Sequence, residues 1–170
     1  HPAGRHRQGV MTGAVNLHAT AIVLGATGIL ITGPSGAGKS ALALSLIRAG
    51  RLHGLYASLV ADDQVLISAS NGRAVAAAPP ATAGLIEIRG TGLVPIDYLP
   101  EAVADFALLP VDPATAERLP ASGERLDLLA GLALPLARLA WPSPDPFSAL
   151  AALCPGLEEG RPARPRLADC

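Results

Sequence analysis

The chain has 170 residues, a formal net charge of -1 and 50% apolar residues, which suffices for one domain with a substantial core. The near-neutral charge and the aromatic content of only 3% give no basis for binding nucleic acid or an anionic membrane surface. No apolar stretch approaches the roughly 18 residues of a spanning helix, and no secretory signal is apparent, so we expect a cytoplasmic protein.

Composition divides the chain into three parts. Residues 1–12 are polar and aperiodic, and we expect them to be disordered or vector-derived, with Met11 as the natural start. Residues 13–153 are predicted to form a single folded domain. Residues 154–170 are rich in proline and arginine and are predicted to form a flexible tail. The two cysteines, Cys154 and Cys170, have no spacing that indicates a disulfide framework or a metal site.

The first predicted elements are a β-hairpin and a helix. Residues 21–24 and 29–32 are apolar runs separated by a glycine-containing turn, which predicts two antiparallel strands. Residues 40–49 are apolar nearly all round, as in a buried helix, and Gly50 is a good stop signal. His18 precedes the first strand, and a single histidine beside a strand is more often a packing residue than a catalytic one.

Between the second strand and the helix lies the most informative stretch of the sequence. It is the octapeptide Gly33-Pro34-Ser35-Gly36-Ala37-Gly38-Lys39-Ser40. The pattern G-x-x-x-x-G-K-[ST] between a strand and a helix is typical of a phosphate-binding loop, where backbone N–H groups and the helix N-terminus surround the phosphates. Lys39 is the only lysine among 13 basic residues. We therefore expect the loop to bind a nucleotide, with Lys39 on the phosphates and the Ser40 hydroxyl on Mg²⁺.

Carboxylates further along the chain are candidates for the chemistry. A strand at residues 59–61 ends in Asp62 and Asp63, where an acid that holds a metal or faces the γ-phosphate is expected. Neighbouring residues of a strand point to opposite faces, so the two acids should play different roles. A polar turn at the strand end is an equally plausible interpretation.

The remaining elements are mostly predicted strands. Residues 64–68 and 74–78 flank Asn71-Gly72, which is a signal for a tight hairpin. Glu87 and Arg89 have the i, i+2 spacing of one strand face, which suits metal and phosphate contact but equally suits a structural ion pair. Residues 102–111 are predicted to form one strand-like run and residues 147–153 a short helix.

Five of these motifs occur in the same order in one known family. The chain resembles the C-terminal catalytic domain of bacterial HPr kinase/phosphorylase, in a short form that lacks the N-terminal domain. The resemblance covers roughly residues 15 to 120. Its motifs are His18 before the hairpin, the loop 33–40, Ala-Asp-Asp at 61–63, Ala-Pro-Pro at 78–80, and Glu-Ile-Arg-Gly-Thr-Gly at 87–92, followed by Glu-Arg-Leu at 117–119.

The resemblance implies a fold, an activity and a set of site residues. The fold is α/β, a P-loop kinase domain with a central mixed β-sheet, similar to the HPr kinase/phosphoenolpyruvate carboxykinase-like fold. The activity is transfer of phosphate from ATP, with Mg²⁺, to a serine of HPr, a small phosphocarrier protein. By the match, Asp63 is the acid-base residue, Ser40 and Glu87 are Mg²⁺ ligands, and His18, Lys39 and Arg118 are the other active-site residues.

The departures from the family pattern favour the kinase reaction over its reverse. The late motif Pro-Val-Arg-Pro-Gly-Arg, associated with dephosphorylation, has no clear counterpart, and residues 134–138 are a poor match to it. The resemblance also implies a homo-oligomer, which is a hexamer in the family. Two other functions fit the phosphate loop: a small-molecule kinase, or a module that senses ATP without catalysis.

Overall fold

The computed structural model describes residues 13–129 and 131–168. The first strands are β1 Val15–Leu17, β2 Thr20–Leu24, β3 Thr27–Ile31, β4 Ala57–Ala61, β5 Val65–Ser70 and β6 Arg73–Ala77. The later strands are β7 Leu85–Ile88, β8 Gly92–Pro95, β9 Glu101–Ala104, β10 Phe106–Val111, β11 Arg125–Asp127 and β12 Ala133–Ala140. The helices are α1 Lys39–Leu52 and α2 Pro146–Leu153.

A six-stranded mixed sheet forms the centre of the fold. Its strand order is β11-β12-β10-β3-β2-β4. Strand β10 runs parallel to both β3 and β12, whereas β2 is antiparallel to β3 and β4. The carboxyl ends of β3, β10 and β12 therefore meet at one edge of the sheet, where open α/β sheets bind their ligands. The predicted α/β class and mixed sheet are confirmed.

Helix α1 packs on this sheet and begins directly after the phosphate loop. Its buried side chains, Leu42, Leu46 and Ile47, join a core cluster with Ile22 and Ile29 of the hairpin. The predicted hairpin and helix are present, although the helix extends past the expected stop at Gly50 to Leu52. Within the described part of the chain, no helix is long and apolar enough to span a bilayer.

A second sheet and a small hairpin complete the architecture. The second sheet has the order β1-β5-β6-β9, and β7 pairs with β8 as a separate ribbon. The turn between β5 and β6 places Asn71 and Gly72 at φ values of 51° and 74°, the left-handed conformation that this residue pair favours. Val65 and Ile67 of β5 form a second core cluster with Leu30 of β3. The hairpin strands β2 and β3 thus contribute side chains to both core clusters.

The predicted single strand over residues 102–111 is wrong. Strands β9 and β10 occupy this run, and they belong to different sheets. The break falls at Asp105, whose carboxylate accepts the Gly28 N–H at 2.8 Å and contacts Arg73 at 2.8 Å. These long-range contacts fix the crossover between the sheets, and a propensity for extended structure does not reveal them.

The segment from Cys154 to residue 168 also differs from the prediction. Cys154 and Leu157 are fully buried in the main core cluster. Ala163 N–H donates to Thr27 Oγ1 at 2.9 Å, and Arg166 N–H donates to the Leu153 carbonyl at 2.8 Å. This packing does not fit a flexible tail that begins at 154, because the segment supplies core side chains and hydrogen bonds to the sheet. The expectation for residues 1–12 lies outside the described residues.

Candidate active site

The phosphate loop lies between β3 and α1 at the carboxyl edge of the central sheet. Gly36 and Gly38 have φ values of 84° and 81°, which are left-handed conformations that a side chain disfavours. Lys39 is buried, and its Nζ donates to the Gly33 and Pro34 carbonyls at 3.0 and 2.9 Å. The ammonium is thus held by the loop itself, at the position from which a P-loop lysine reaches phosphate.

Trp141 closes one side of the loop. A Cβ at Gly38 would lie 2.7 Å from the indole Nε1 of Trp141, well inside van der Waals contact. Trp141 directly follows β12, and its N–H donates to the Val111 carbonyl at the end of β10 at 2.9 Å. Glycine is therefore required at position 38 both by the backbone conformation and by the ring beside it.

Asp62 joins three elements around the start of α1. The carboxylate is buried, and its Oδ1 accepts hydrogen bonds from Thr20 Oγ1 at 2.8 Å and Ser40 Oγ at 2.7 Å. Its Oδ2 accepts the Glu87 N–H at 2.9 Å. Three donors on one buried carboxylate satisfy it fully. Asp62 thereby fixes the Ser40 hydroxyl and the backbone of Glu87 relative to each other.

Asp63 points the other way and pairs with His18. Its φ of 65° is unusual for a residue with a side chain, and aspartate tolerates this conformation better than most. The chain turns immediately after β4, and His18 Nε2 lies 2.7 Å from Asp63 Oδ1. The side chains of His18 and Asp63 are 51% and 58% exposed, so a substrate can reach the pair.

These groups surround one cavity of about 280 Å³. Its lining residues are His18, Thr20, Ser35, Gly36, Gly38, Lys39, Ser40, Ala41, Asp63, Glu87 and Arg89. An ammonium, a guanidinium and loop N–H groups thus face an imidazole and two carboxylates across a small concave space. Such a set can neutralise a phosphoryl group, hold a hard cation through oxygen atoms, and accept a proton.

The sequence matches one protein-family model over residues 10–101, more than half of the chain. That model describes the HPr Serine kinase C-terminal domain. The chain belongs to this family. The matched region contains the whole cavity lining, from His18 to Arg89.

Individual relatives agree with the family match. The HPr kinase/phosphorylase of Clostridium tetani (strain Massachusetts / E88) is 41% identical over 83 residues, which are 49% of this chain and 25% of that protein. The HPr kinase/phosphorylase of Mycoplasmopsis pulmonis (strain UAB CTIP) is 38% identical over 101 residues, 55% of this chain and 31% of that protein. The chain therefore spans about a quarter to a third of the length of these relatives.

A solved structure shares the fold of the HPr kinase domain. The Hpr(Ser) kinase/phosphatase from Coxiella burnetii superposes with a TM-score of 0.64 at 23% sequence identity. The alignment covers 82% of this chain and 93% of that one. It supports the arrangement of the sheets around the loop and helix.

The structure brings together most of the site residues predicted from the sequence. His18, Lys39, Ser40, Asp63 and Glu87 all line the cavity. Arg118 does not line it. That residue lies in the exposed segment after β10, whose carboxyl end is at the same sheet edge as the loop, since β3 and β10 are parallel. The roles of all these residues stay predictions.

Thr20 was missing from the predicted site, and Asp62, a candidate acid beside Asp63, was given no role in it. The sequence signal for Asp62 was present, because two adjacent acids at a strand end point in opposite directions. If Asp63 faces the substrate, then Asp62 faces inward and needs donors. Its partners, Thr20 and Ser40, are 42 and 22 residues away in sequence, so no local pattern could identify them.

The oxygen atoms around Ser40 fit a magnesium ion. Ser40 Oγ donates its proton to Asp62, which leaves the lone pairs of the hydroxyl oxygen for a cation, and Glu87 lines the same cavity. Among the described residues, no group of three or more His, Cys, Asp or Glu side chains is arranged to hold a metal. Mg²⁺ ordinarily uses one or two protein oxygens together with waters and substrate phosphates, so Ser40 and Glu87 would suffice.

Proposed function

We propose that this domain is an ATP-dependent protein serine kinase that phosphorylates an HPr-type phosphocarrier protein. One observation carries the proposal: an exposed carboxylate, Asp63, is held by His18 on the rim of a cavity that also contains the phosphate loop. Membership of the HPr serine kinase family supports the choice of a serine hydroxyl as the acceptor. The names of the relatives support HPr as the protein that carries it.

Asp63 acts as the general base in the proposed transfer. Its carboxylate takes the proton of the acceptor serine hydroxyl while the serine oxygen forms a bond to the γ-phosphorus. The bond between that phosphorus and the β,γ-bridging oxygen breaks, and ADP leaves with the electron pair. The contact with His18 Nε2 at 2.7 Å orients the carboxylate, and the exposure of both side chains admits a protein substrate.

Lys39 and the loop stabilise the charge that moves during transfer. The loop N–H groups and the helix N-terminus bind the phosphates, and Lys39 exchanges its two carbonyl contacts for phosphate oxygens. Ser40 and Glu87 would hold a magnesium ion, which would neutralise part of the negative charge of the phosphoryl groups. Asp62 keeps the Ser40 hydroxyl in place through its 2.7 Å hydrogen bond.

The proposal extends to the cellular setting. A phosphocarrier substrate implies that the domain works in the cytoplasm, and the resemblance described above implies a homo-oligomer. Arg118 belongs to the proposed site as a cation that approaches the transferring phosphoryl group from the segment after β10. The reverse phosphorylase reaction is not part of the proposal, since residues 134–138 do not match the motif associated with it.

Incubation with radiolabelled ATP, Mg²⁺ and purified HPr tests the proposal. We expect label on a serine of HPr from the wild-type protein. Asp63→Asn should lower the rate by about 100- to 10,000-fold, the usual contribution of a general base, with nucleotide binding unchanged. Asp97→Asn is the matched control, because Asp97 is an exposed carboxylate outside the cavity, and it should keep wild-type activity.

Three outcomes would contradict the proposal. Label on a metabolite with none on HPr would indicate a small-molecule kinase. Tight ATP binding without turnover, the same in wild type and Asp63→Asn, would indicate a nucleotide-sensing module. Full HPr phosphorylation by Asp63→Asn would remove the general base from the mechanism while leaving the kinase activity itself in place.

A further inference from the structure

A larger cavity lies at the opposite edge of the central sheet from the phosphate loop. Its volume is about 830 Å³, within the range of roughly 300–1,000 Å³ that is typical of small-molecule sites. Asp105, just before β10, and Ala133, the first residue of β12, are among its lining residues. Because five residues of β3 separate the two edges, the cavity is roughly 17 Å from the loop.

Four arginines surround this cavity: Arg73, Arg125, Arg164 and Arg166. Among the described residues, Asp105 is the only acidic one in the lining, and it already contacts Arg73 at 2.8 Å. Four guanidinium groups against one carboxylate leave an excess of three positive charges. The chain as a whole has a net charge of -1, so this concentration of positive charge is local and attracts anions.

Two of the guanidinium groups are held in place by the domain. Arg73 Nη2 donates to Asp105 Oδ1, and Arg125 Nη2 donates to the Ala133 carbonyl at 3.0 Å. Arg73 is the first residue of β6 in the second sheet and Arg125 is the first residue of β11 in the central sheet, so the two stand on different walls. Each retains further N–H donors, because a guanidinium group has five.

The other two arginines come from the C-terminal segment. Arg164 and Arg166 are two residues apart in a segment without regular secondary structure, and both line the cavity. The backbone is fixed on both sides of Arg164, at Ala163 by Thr27 Oγ1 and at Arg166 by the Leu153 carbonyl. Within the described residues, neither side chain has a hydrogen-bond or ion-pair partner. Two arginine side chains are therefore available to a ligand from a positioned backbone.

The chemistry of the lining selects the ligand class. Guanidinium groups match phosphate oxygens with paired hydrogen bonds, and a phosphoryl monoester carries about -1.5 to -2 charge. Two such groups balance the excess of three positive charges, whereas one carboxylate does not. None of the described residues that line this cavity is aromatic, so a nucleobase would find no stacking surface. We propose that this cavity binds a small polyanion that carries two or more phosphoryl groups.

Isothermal titration calorimetry with inorganic pyrophosphate tests the proposal. The titration uses Lys39→Ala, which weakens the phosphate loop as a competing site, at low ionic strength. Wild-type protein titrated in the same way provides the comparison, because its pyrophosphate binding includes both the phosphate loop and the cavity. We expect saturable pyrophosphate binding in both, weakened about tenfold by Arg164→Gln and by Arg166→Gln, since each removes a charge-assisted hydrogen bond.

The controls distinguish specific binding at the arginines of the cavity from non-specific electrostatic attraction. Arg48→Gln removes the same charge from an exposed position on α1, away from the cavity, and should leave the affinity unchanged. Arg166→Lys should bind pyrophosphate with intermediate affinity, because it keeps the positive charge but loses the paired N–H donors of the guanidinium group. Circular dichroism and thermal melting show that each variant is folded.

Several results would overturn the proposal. One is the absence of saturable pyrophosphate binding at millimolar concentration in both protein forms. Another is binding that Arg164→Gln, Arg166→Gln and Arg48→Gln reduce equally. Citrate provides the last comparison, because it presents several carboxylates without phosphorus. If citrate binds as tightly as pyrophosphate, the site selects charge alone and not phosphoryl groups.

Discussion

Two adjacent aspartates have opposite environments at the candidate active site. Asp62 is buried and accepts three hydrogen bonds, whereas the Asp63 side chain is 58% exposed and pairs with His18. Both residues follow β4 directly, and the left-handed conformation of Asp63 turns the chain so that the two side chains meet different surroundings. One carboxylate therefore holds the site together, and its neighbour is free to meet a substrate.

The same substitution at these two positions should have different effects on stability. Asp62→Asn leaves a single acceptor oxygen for three donors, so at least one donor is buried without a partner, and we expect a loss of about 2–3 kcal/mol. For a chain of this size the melting temperature should fall by roughly 5–10 °C. Asp63→Asn should stay within about 0.5 kcal/mol, because the site is exposed and asparagine tolerates a positive φ.

Thermal unfolding of both variants by differential scanning calorimetry measures this contrast. Equal losses of stability would show that Asp62 contributes no more than its exposed neighbour. Because the readout is unfolding, the result does not depend on any catalytic assay.

At the scale of elements, the sequence predicts what is local. The phosphate loop, the hairpin before it, helix α1 and the Asn71-Gly72 turn were all predicted, because each has its signal within a few residues. The split of residues 102–111 was not, since it depends on Gly28 and Arg73, which are 77 and 32 residues from Asp105. Sequence patterns carry no information about partners at such separations.

The C-terminal segment shows how a composition argument fails. Its prolines and arginines are typical of disordered chains, so the composition predicts a flexible tail. Two apolar residues of the segment, Cys154 and Leu157, are local signs against that prediction. Both are fully buried. Prolines end regular secondary structure, but they do not prevent a segment from packing against a domain. Because proline restricts the backbone of the unfolded chain, it lowers the conformational entropy that is lost when the segment packs.

Leucine substitutions should show that this segment stabilises the domain. Leu157→Ala removes a fully buried side chain and should cost about 2–5 kcal/mol. Leu167→Ala is the matched control in the same segment, because Leu167 is 53% exposed, and it should change stability by about 0.5 kcal/mol or less. Urea denaturation monitored by circular dichroism gives both values. Similar small losses for the two variants would mean that the segment does not belong to the core.

The whole molecule has a buried thiol that links its stability to pH. Burial raises the pKa of Cys154 from its ordinary value of 9.0 to about 12. At a pH between these two values, the Cys154 thiol is deprotonated in the unfolded state and protonated in the native state. Because the unfolded state then binds fewer protons, stability falls as the pH rises. The contribution is complete below pH 9.0 and is lost progressively toward about pH 12.

Cys154→Ala isolates this effect in urea unfolding experiments above and below pH 9.0, the ordinary thiol value. The variant is less stable than wild type at neutral pH, because it leaves a small cavity. We expect the difference between the two proteins to shrink as the pH rises past the ordinary thiol pKa. A difference that is constant with pH would show that the native thiol titrates like the unfolded one.

The ring of Trp141 against Gly38 gives the molecule a built-in optical probe. Trp141 is the only tryptophan in the chain, and its indole lies beside the phosphate loop. Its emission should therefore shift in intensity or wavelength when ATP is added, without any attached dye. Lys39→Ala should abolish the change if it comes from the loop, and an unaltered spectrum at saturating ATP would show that occupancy leaves the ring undisturbed. The contact that restricts position 38 to glycine thus also allows ligand entry to be followed in real time.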